Sequence, residues 1–347
     1  MKRRGILLLM VLALVVLSGV GCANNTPAPD TNNNNNNQGD VQGNQQQTPK
    51  DMNVAQIIYD QWKGSAHATA VEENDPENSP ALREGGGCFK CHNGYGFELN
   101  PDTLEGIGIL KGQSCDTCHT KYGHDLATSG SVEIPLGTIK GGKGALCIAC
   151  HNGRGKEPDQ VKAPHHSVQT DMLLAKSGAE VEGFDYSTHS HAGADNKCLA
   201  CHMAADDNTI KDHTFKMNKE NIANSCGRCH DFDSFNPTAR DDFDGDGNKE
   251  GYQDEVKGLA DMLEKTINEK LGDKKFESSH GKIVFTDAQG NALDAPPSEE
   301  VYNAAWNLLF VRYDGSNGVH NPNYSVQLLQ QSYKLLTGED VPNAKMK

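Results

Sequence analysis

Three features are scarce in this 347-residue chain, and each narrows what the chain can be. Hydrophobic residues make up 36% of the sequence and aromatic residues 6%, so side chains alone supply a lean core for this length. The longest apolar run, residues 6–17, is shorter than the ~18 residues that a transmembrane helix requires. Basic residues number 32 against 47 acidic ones, and the net charge of −15 argues against nucleic acid and anionic lipid as partners.

Cysteine, by contrast, is abundant, and ten of the 11 cysteines occur in one repeated pattern. In each repeat two cysteines are separated by two residues and the second is followed at once by histidine. The five copies are Cys88-Cys91-His92, Cys115-Cys118-His119, Cys147-Cys150-His151, Cys198-Cys201-His202 and Cys226-Cys229-His230. We number them motifs 1 to 5 in chain order.

Two thiols at this spacing can bond to both vinyl groups of one haem, while the adjacent histidine binds the iron as its proximal ligand. Zinc knuckles and secretory disulfides also use paired cysteines, but neither requires a histidine after every pair. The sequence therefore predicts five covalently attached haem c groups. Their apolar plates would supply the core that side chains lack, so we expect the haem-free chain not to fold properly.

The sixth iron ligand decides what each haem can do, because a second protein ligand closes the face that would bind a substrate. Nine histidines lie outside the motifs. We expect five of them, one from each of five sequence contexts, to be distal ligands: His67, His166, His191, His213 and His320.

The sequence leaves some of these choices open. It does not separate His166 from its neighbour His165, or His191 from the nearby His189. His124 is the first reserve ligand and His280 the second. Methionine ligation is the competing route, through Met203 or Met217, but Met203 directly follows a proximal histidine and cannot turn back to the same iron.

Several stretches together resemble one family of proteins. They are residues 62–67, Pro164-His165-His166 with Gln169 and Asp171-Met172, Cys201-His202-Met203, His213-Thr214-Phe215, and residues 314–322. Over about residues 55–337 the chain resembles bacterial multihaem c-type cytochromes of the nitrite-reductase and octahaem-reductase superfamily. The resemblance implies a mainly α-helical, haem-packed fold with much irregular loop, and it supports the same distal ligands. Ammonia-forming nitrite reductases of that superfamily carry lysine in place of one motif histidine, and no motif here does, which argues against nitrite reduction.

Residues 1–22 have the layout of an export signal, with a cationic start, an apolar run and small residues before Cys22. Cys22, the one cysteine outside the motifs, is expected to be the lipid acceptor of a bacterial lipoprotein. Gly19 stands where that family usually has leucine, so cleavage without lipidation is the alternative. Residues 23–50, rich in Asn and Gln, are expected to form a disordered tether.

Residues 231–261 hold ten acidic residues against three basic ones, and part of this block reads like a calcium loop with oxygen ligands at alternate positions. The candidate ligands are Asp242, Asp244, Asp246, Asn248, Glu250 and Glu255. A loop starting at Asp242 places glycine at the turn but Gln253 where a bidentate glutamate belongs. A loop starting at Asp244 supplies Glu255 but places Lys249 at the turn. We expect the cation, if bound there, to be structural.

These patterns divide the chain into a pentahaem region over residues 51–240, the acidic loop over 241–256 and a helical C-terminal region over 257–347. In the last of these, apolar periodicity and capping residues predict helices near 259–271, 298–313 and 324–336, with a hairpin around 282–292. The loop between the last two helices carries His320.

The sequence thus favours an exported, lipid-anchored pentahaem cytochrome at the periplasmic or extracellular face of the cell envelope. It would pass electrons from a membrane-side donor, such as a quinol-oxidising protein or another cytochrome, to a periplasmic or extracellular acceptor. One alternative is a reductase that acts on a small nitrogen or sulfur compound at one open haem. Another is a subunit of an extracellular cytochrome filament. Whether the protein is an enzyme is left open, with an electron carrier favoured.

Overall fold

The fold comes from a computed structural model, described over residues 53–69, 79–83, 85–103, 105, 110–155, 158–159, 162–205, 210–231 and 234–347. All of these belong to one unit, Pro49–Lys347. The predicted export signal, Cys22 and the tether over 23–50 lie outside the described residues. Within the described residues, no helix is both long enough and apolar enough to cross a membrane.

Up to Ser225 the described chain forms ten short helices joined by turns and irregular loops. They are α1 (Val54–Lys63), α2 (Ala66–Thr69), α3 (Phe89–His92), α4 (Gly94–Leu99), α5 (Cys115–His119), α6 (Lys121–Ser129), α7 (Ala145–Ile148), α8 (Gln169–Leu173), α9 (Cys198–His202) and α10 (Ile222–Ser225). Single 3-10 turns lie between several of them, one of them at Cys226–Arg228. A small hairpin, β1 (Ser131–Ile134) with β2 (Gly137–Lys140), follows α6.

Residues that tolerate a left-handed backbone keep these helices short. Asn100 ends α4 with a φ of 43°, and Gly130 ends α6 with a φ of 67° while its N–H bonds to Leu126. Both positions favour small or turn-forming residues because a left-handed backbone crowds an ordinary side chain. The motif region is therefore built from short helices, none longer than ten residues in the described part of the chain, rather than from long amphipathic ones.

Three longer helices, α11 (Tyr252–Leu271), α12 (Glu299–Asp314) and α13 (Pro322–Thr337), pack against one another near the C-terminal end of the chain. Ser298 caps α12 by accepting a hydrogen bond from Val301, and Asn321 caps α13 through Tyr324. All three predicted helices are present, and α13 begins earlier than expected because Pro322 occupies its first position, where a missing N–H costs nothing.

The predicted hairpin is displaced along the chain. Strands β3 (Lys275–Ser279) and β4 (Lys282–Thr286) pair antiparallel, so the turn lies at His280 and Gly281, both with positive φ. Ala292, which we expected inside the hairpin, makes only an isolated bridge to Thr286. The alternation of Phe276 and Ser278 was too weak a signal to identify β3 from sequence.

The larger hydrophobic core belongs to the three C-terminal helices, where Trp306, Tyr302 and Tyr324 are fully buried. The second cluster lies among the motifs and is much smaller. Its buried members are Phe97, Leu126, Val132, Ala145 and Ile148. Burying one such side chain contributes about 1.5–3 kcal/mol, so this small cluster alone gives the motif region little stability. The mainly α fold class with much irregular loop is confirmed.

Candidate haem sites

Each motif forms one turn of helix, which places its two thiols and its histidine on the same side. In motifs 1, 3 and 5 the N–H of the histidine donates to the carbonyl of the first cysteine, at 3.0, 2.9 and 2.9 Å. Motifs 2 and 4 lie within α5 and α9. Residues four apart on a helix share a face, so the local fold presents the three groups that a covalently held haem requires.

Each motif histidine lies opposite a histidine from outside the motifs. The separations of the ring centres are 6.0 Å for His92 and His166, 6.3 Å for His119 and His213, 6.1 Å for His67 and His151, 6.1 Å for His202 and His320, and 6.1 Å for His191 and His230. The structure therefore brings the five expected distal residues together with the five motif histidines, one to each.

The uniform separation has a physical meaning. Two imidazoles on opposite sides of one metal, each with a metal–nitrogen bond of about 2.0 Å and a nitrogen ~1.1 Å from its ring centre, lie roughly 6.2 Å apart. All five pairs lie within 0.2 Å of that value. The donor set of each pair therefore fits an iron bound on both faces.

Alternative ligands occupy different positions. The ring of His165 stacks on that of His166 at 4.4 Å, within reach of His92. Its Nδ1, however, accepts a hydrogen bond from the backbone N–H of Ser167, which leaves the proton on Nε2. The Nδ1 of His189 accepts a hydrogen bond from the backbone N–H of His191. These contacts favour His166 over His165 and His191 over His189.

The two reserve ligands lie at the surface. The side chain of His124 is 62% exposed, beside Asp125. His280 is exposed in the turn of the second hairpin, where Ser279 contacts its Nδ1. Neither position needs an iron to account for the residue.

Hydrogen bonds from the far ring nitrogen orient several of the histidines. Nδ1 of His191, His202 and His213 lies 2.8, 2.9 and 2.8 Å from the backbone carbonyls of Val319, Phe215 and Lys211. A carbonyl acceptor leaves the proton on Nδ1 and the lone pair on Nε2, which is the nitrogen free to bind a metal.

Two further histidines are held by the side chains of residues that the sequence analysis named only as part of the family resemblance. Nδ1 of His151 lies 3.2 Å from Oε1 of Gln169, whose amide donates to the carbonyls of Tyr313 and Asp314. Nδ1 of His320 lies 2.6 Å from Oδ1 of Asp314. The end of α12 therefore contacts two sites at once, a connection that no local sequence pattern signals.

Burial favours the neutral form of three of these histidines. It lowers the pKa of His67 and His202, and it lowers the pKa of His151 to about 4. For His320 burial also disfavours the charged form, but Asp314 outweighs it and the pKa of the free side chain is raised. A neutral imidazole has the lone pair that coordinates a metal, so the environments of His67, His151 and His202 suit metal binding.

Phe215 connects three of the sites. Its ring packs edge-on against His67 with centres 4.6 Å apart and lies 6.1 Å from the ring of His213, while its carbonyl accepts the hydrogen bond from His202. Its backbone has a φ of 59°, a strained value for a bulky residue. Sequence analysis found this residue only as part of a resemblance and assigned it no role.

His67, the expected distal ligand nearest the N-terminus, is tied to the loop before motif 2. Gln113 donates its backbone N–H to the carbonyl of His67 at 2.8 Å, and its side-chain amide donates to the backbone carbonyl of Cys91, also at 2.8 Å. Its own carbonyl accepts from the indole of Trp62 at 2.8 Å. Gly112 allows this approach, because a Cβ there would stand 2.6 Å from the carbonyl of Ala68. The distal residue of one site is thus fixed against the motif of another.

Several motifs contact one another in the fold. The Cys91 thiol of motif 1 lies 3.8 Å from the carbonyl of Ala149, inside motif 3. Cys150 of motif 3 and Cys198 of motif 4 pack against the same small hydrophobic cluster. Helix α9, which carries motif 4, contacts α10, which directly precedes motif 5. Neighbouring motifs therefore lie against one another.

A cavity of about 470 Å³ opens beside Cys91. Phe97 and Tyr122 line it with aromatic rings. The cations Lys90 and Arg154 are balanced there by the acids Asp102 and Glu133.

The acidic loop brings together the carboxylates of Asp242, Asp244 and Asp246, with ligand oxygens all within 4.8 Å of one another. Burial, followed by the neighbouring acids, raises the pKa of Asp244 to about 6. These are positions 1, 3 and 5 of the loop that starts at Asp242.

The remaining candidates of that loop point elsewhere. Buried Glu255 accepts hydrogen bonds from the backbone N–H groups of Phe243 and Glu250, at 2.7 and 2.9 Å. Asn248 donates its side-chain amide to Asp246, and Glu250 is exposed. The cluster therefore fits the register beginning at Asp242 better than the one that relies on Glu255.

One-turn motifs with two thiols and a histidine, each facing a second imidazole, define a multihaem c-type cytochrome. Family comparison agrees: the family model for cytochrome c552 matches residues 164–341, and the model for cytochrome c554 and c-prime matches residues 55–120. The chain belongs to the cytochrome c552 family and binds haem c covalently.

Comparison with individual proteins adds less. No match was found among curated proteins. A solved structure described as the outer cell wall cytochrome OcwA is 22% identical, with a TM-score of 0.49, over 81% of this chain and 50% of that one. The chain thus spans half the length of that protein.

Proposed function

We propose that each motif carries one haem c and that each iron is bound by the motif histidine and its partner. The ligand pairs are His92 with His166, His119 with His213, His151 with His67, His202 with His320, and His230 with His191. The single observation that carries this proposal is the common 6.0–6.3 Å separation of the five ring pairs. Unrelated surface histidines would not share one spacing.

Two imidazoles leave an iron no open face, which favours electron transfer over catalysis at the metal. When bound, each haem supplies a one-electron relay. The chain's contribution is to hold the ligands neutral, to fix their rings and to keep substrates from the iron.

Contacts between the motifs support an order for the relay. Motif 1 adjoins motif 3, because the Cys91 thiol lies 3.8 Å from the carbonyl of Ala149. Motifs 3 and 4 share a hydrophobic cluster through Cys150 and Cys198, and helix α9 of motif 4 contacts α10, which directly precedes motif 5. The edge of a covalently held haem begins at its thioether, so neighbouring motifs favour neighbouring haem edges.

We also propose that the protein is exported, is anchored by a lipid on Cys22, and exchanges electrons at the cell envelope. Its donor would be a membrane-side redox protein and its acceptor periplasmic or extracellular. The export-like layout of residues 1–22 supports this, as does covalent haem attachment, which belongs outside the cytoplasm. With a net charge of −15, basic partner surfaces would speed association at low salt.

A structural Ca²⁺ at Asp242, Asp244 and Asp246 is a second proposal. The convergence of their oxygens within 4.8 Å supports it. The loop lies between motif 5 and α11, so a bound cation would fix the haem region to the C-terminal helices by relieving repulsion among three carboxylates.

Two measurements on the purified holoprotein test the electron-transfer proposal. Intact-mass analysis should find five attached haems, and replacing both Cys147 and Cys150 with serine should remove one. Carbon monoxide should leave the absorption spectrum of the reduced protein unchanged, because it binds only to an open iron. Fewer than five haems contradicts the proposal. A carbon monoxide adduct in native protein also contradicts it and favours a reductase, because it shows an open iron.

A further inference from the structure

Helix α12 ends at a carboxylate that the relay described above does not by itself require. The side chain of Asp314 is 0% exposed, and its Oδ1 lies 2.6 Å from Nδ1 of His320. Its other oxygen accepts hydrogen bonds from the backbone N–H and the hydroxyl of Ser316. That hydroxyl also accepts from the backbone N–H of His320 at 3.0 Å, so the carboxylate and the imidazole are locked in one small loop.

This partner differs in kind from those of four other ligand histidines. Nδ1 of His191, His202 and His213 faces backbone carbonyls, and Nδ1 of His151 faces the amide oxygen of Gln169. Those oxygens are uncharged. A carboxylate draws the Nδ1 proton more strongly and makes the imidazole a more basic, more electron-donating ligand.

We propose that Asp314 is a positioning residue that lowers the reduction potential of the haem held by His202 and His320. The inference rests on the proposed function, since it requires that pair to bind one iron. Reduction adds one electron to ferric iron and removes one unit of positive charge. Asp314 therefore stabilises the ferric form twice, through a more donating ligand and through a buried negative charge close by.

The position of this site gives the effect a consequence. Cys198 of motif 4 packs against the same hydrophobic cluster as Cys150 of motif 3, and helix α9 of motif 4 contacts α10, which directly precedes motif 5. The haem of motif 4 would therefore lie inside the relay rather than at an end. Asp314 thus sets the energy of an internal step. The same residue's backbone carbonyl receives the amide of Gln169, which orients His151 of motif 3.

The test is a spectroelectrochemical titration of the holoprotein and its Asp314→Asn variant. Asparagine keeps the shape and can still accept from Nδ1 but removes the charge. We expect all haems to remain low-spin and one of the resolved transitions to move to higher potential by at least a tenfold change in its equilibrium, about 59 mV for one electron. The paramagnetic resonance signal of one haem should change with it. Asp314→Glu keeps the negative charge, so the potential of that transition should lie closer to its value in the native protein.

Asp273→Asn is the matched control, because it removes the same charge from a side chain that is 75% exposed, and it should shift no transition comparably. If Asp314→Asn does not fold, the same titration of Ser316→Ala tests the inference. It keeps the carboxylate but removes a hydroxyl that withdraws charge from it, so one transition should move to lower potential.

Several outcomes would overturn the inference. They are a correctly ligated Asp314→Asn protein with every transition in place, and a Ser316→Ala protein whose transitions stay or rise. Failure of the proposed function looks different, because native protein would then contain fewer than five low-spin haems before any substitution is made.

Discussion

Individual side chains in this protein serve more than one haem site. Phe215 contacts the ring of His67 and holds His202 through its carbonyl, at the expense of a left-handed backbone. Such strain costs about 1–3 kcal/mol and persists only where surrounding contacts over-determine it. Here two contacts hold the backbone in that conformation: the ring packs against His67, and the carbonyl accepts a hydrogen bond from His202.

Phe215→Ala should loosen the packing around His67. We expect it to lower the stability of the holoprotein by about 2–4 kcal/mol and to raise the high-spin fraction, as His67 gains freedom to leave its iron. Thermal unfolding and optical spectra measure the two effects. Phe215→Leu retains most of the side-chain volume, so its stability and its high-spin fraction should lie between those of Phe215→Ala and those of the native protein. Native optical spectra in Phe215→Ala would show that Phe215 does not hold His67 on its iron.

Adjacent histidines offer a direct test of ligand choice. His166→Ala should open one iron, which then binds carbon monoxide, whereas His165→Ala should leave every iron closed. His191→Ala and His189→Ala form a second matched pair with the same expectation. His166 and His191 face motif histidines at about 6 Å, whereas the Nδ1 of His165 and of His189 accepts a backbone N–H. The reverse result within either pair would reassign that ligand.

At the scale of elements, the acidic loop joins two differently built parts. The backbone carbonyl of Phe243 in this loop accepts a hydrogen bond from the side-chain amide of Gln330 in α13. The backbone carbonyl of Asp242 accepts one from the backbone N–H of Lys345 at 2.7 Å. The C-terminal residues and α13 therefore hold the loop from one side. The three carboxylates lie within 4.8 Å of one another, and repulsion among them favours a bound cation.

Millimolar Ca²⁺ should accordingly raise the melting temperature of the holoprotein by a few degrees, since a ligand at 100 times its Kd adds about 2.7 kcal/mol. Asp244→Asn should abolish this shift, whereas Asp273→Asn, an exposed acid outside the loop, should retain it. Mg²⁺ should act more weakly because the loop's oxygens do not offer a tight octahedral cage. A Ca²⁺ shift that persists in Asp244→Asn would exclude this loop as its source.

For the whole molecule, stability is unevenly divided between the two halves. The three C-terminal helices contain the large core around Trp306 and Tyr324, whereas the motif region has the small cluster around Ile148. Five bound haems would make up that deficit, which explains how a chain with 36% hydrophobic residues can order so many short turns. Folding of the motif region and haem attachment should therefore be inseparable.

Much of this organisation was accessible from sequence, for identifiable reasons. The motifs are local, so their spacing alone predicts the attached groups, and the C-terminal helices carry periodic Leu259, Leu263 and Ile267 with clear caps. The five expected distal histidines were chosen from their contexts because few histidines compete, but the motif that each one faces was not predicted. Contacts such as Asp314 with His320, or Cys91 with Ala149, depend on how separate turns pack, and no spacing rule encodes them. The hairpin was misplaced because its first strand lacks alternation.

The account depends above all on every iron being closed by two imidazoles. Low-temperature paramagnetic resonance with magnetic circular dichroism counts high-spin and low-spin haems in the oxidised holoprotein. We predict five low-spin haems with different signals, because the ring planes of the ligand pairs cross at angles from 26° for His119 and His213 to 90° for His67 and His151. A high-spin haem amounting to about one in five would contradict the account and point to catalysis at that iron.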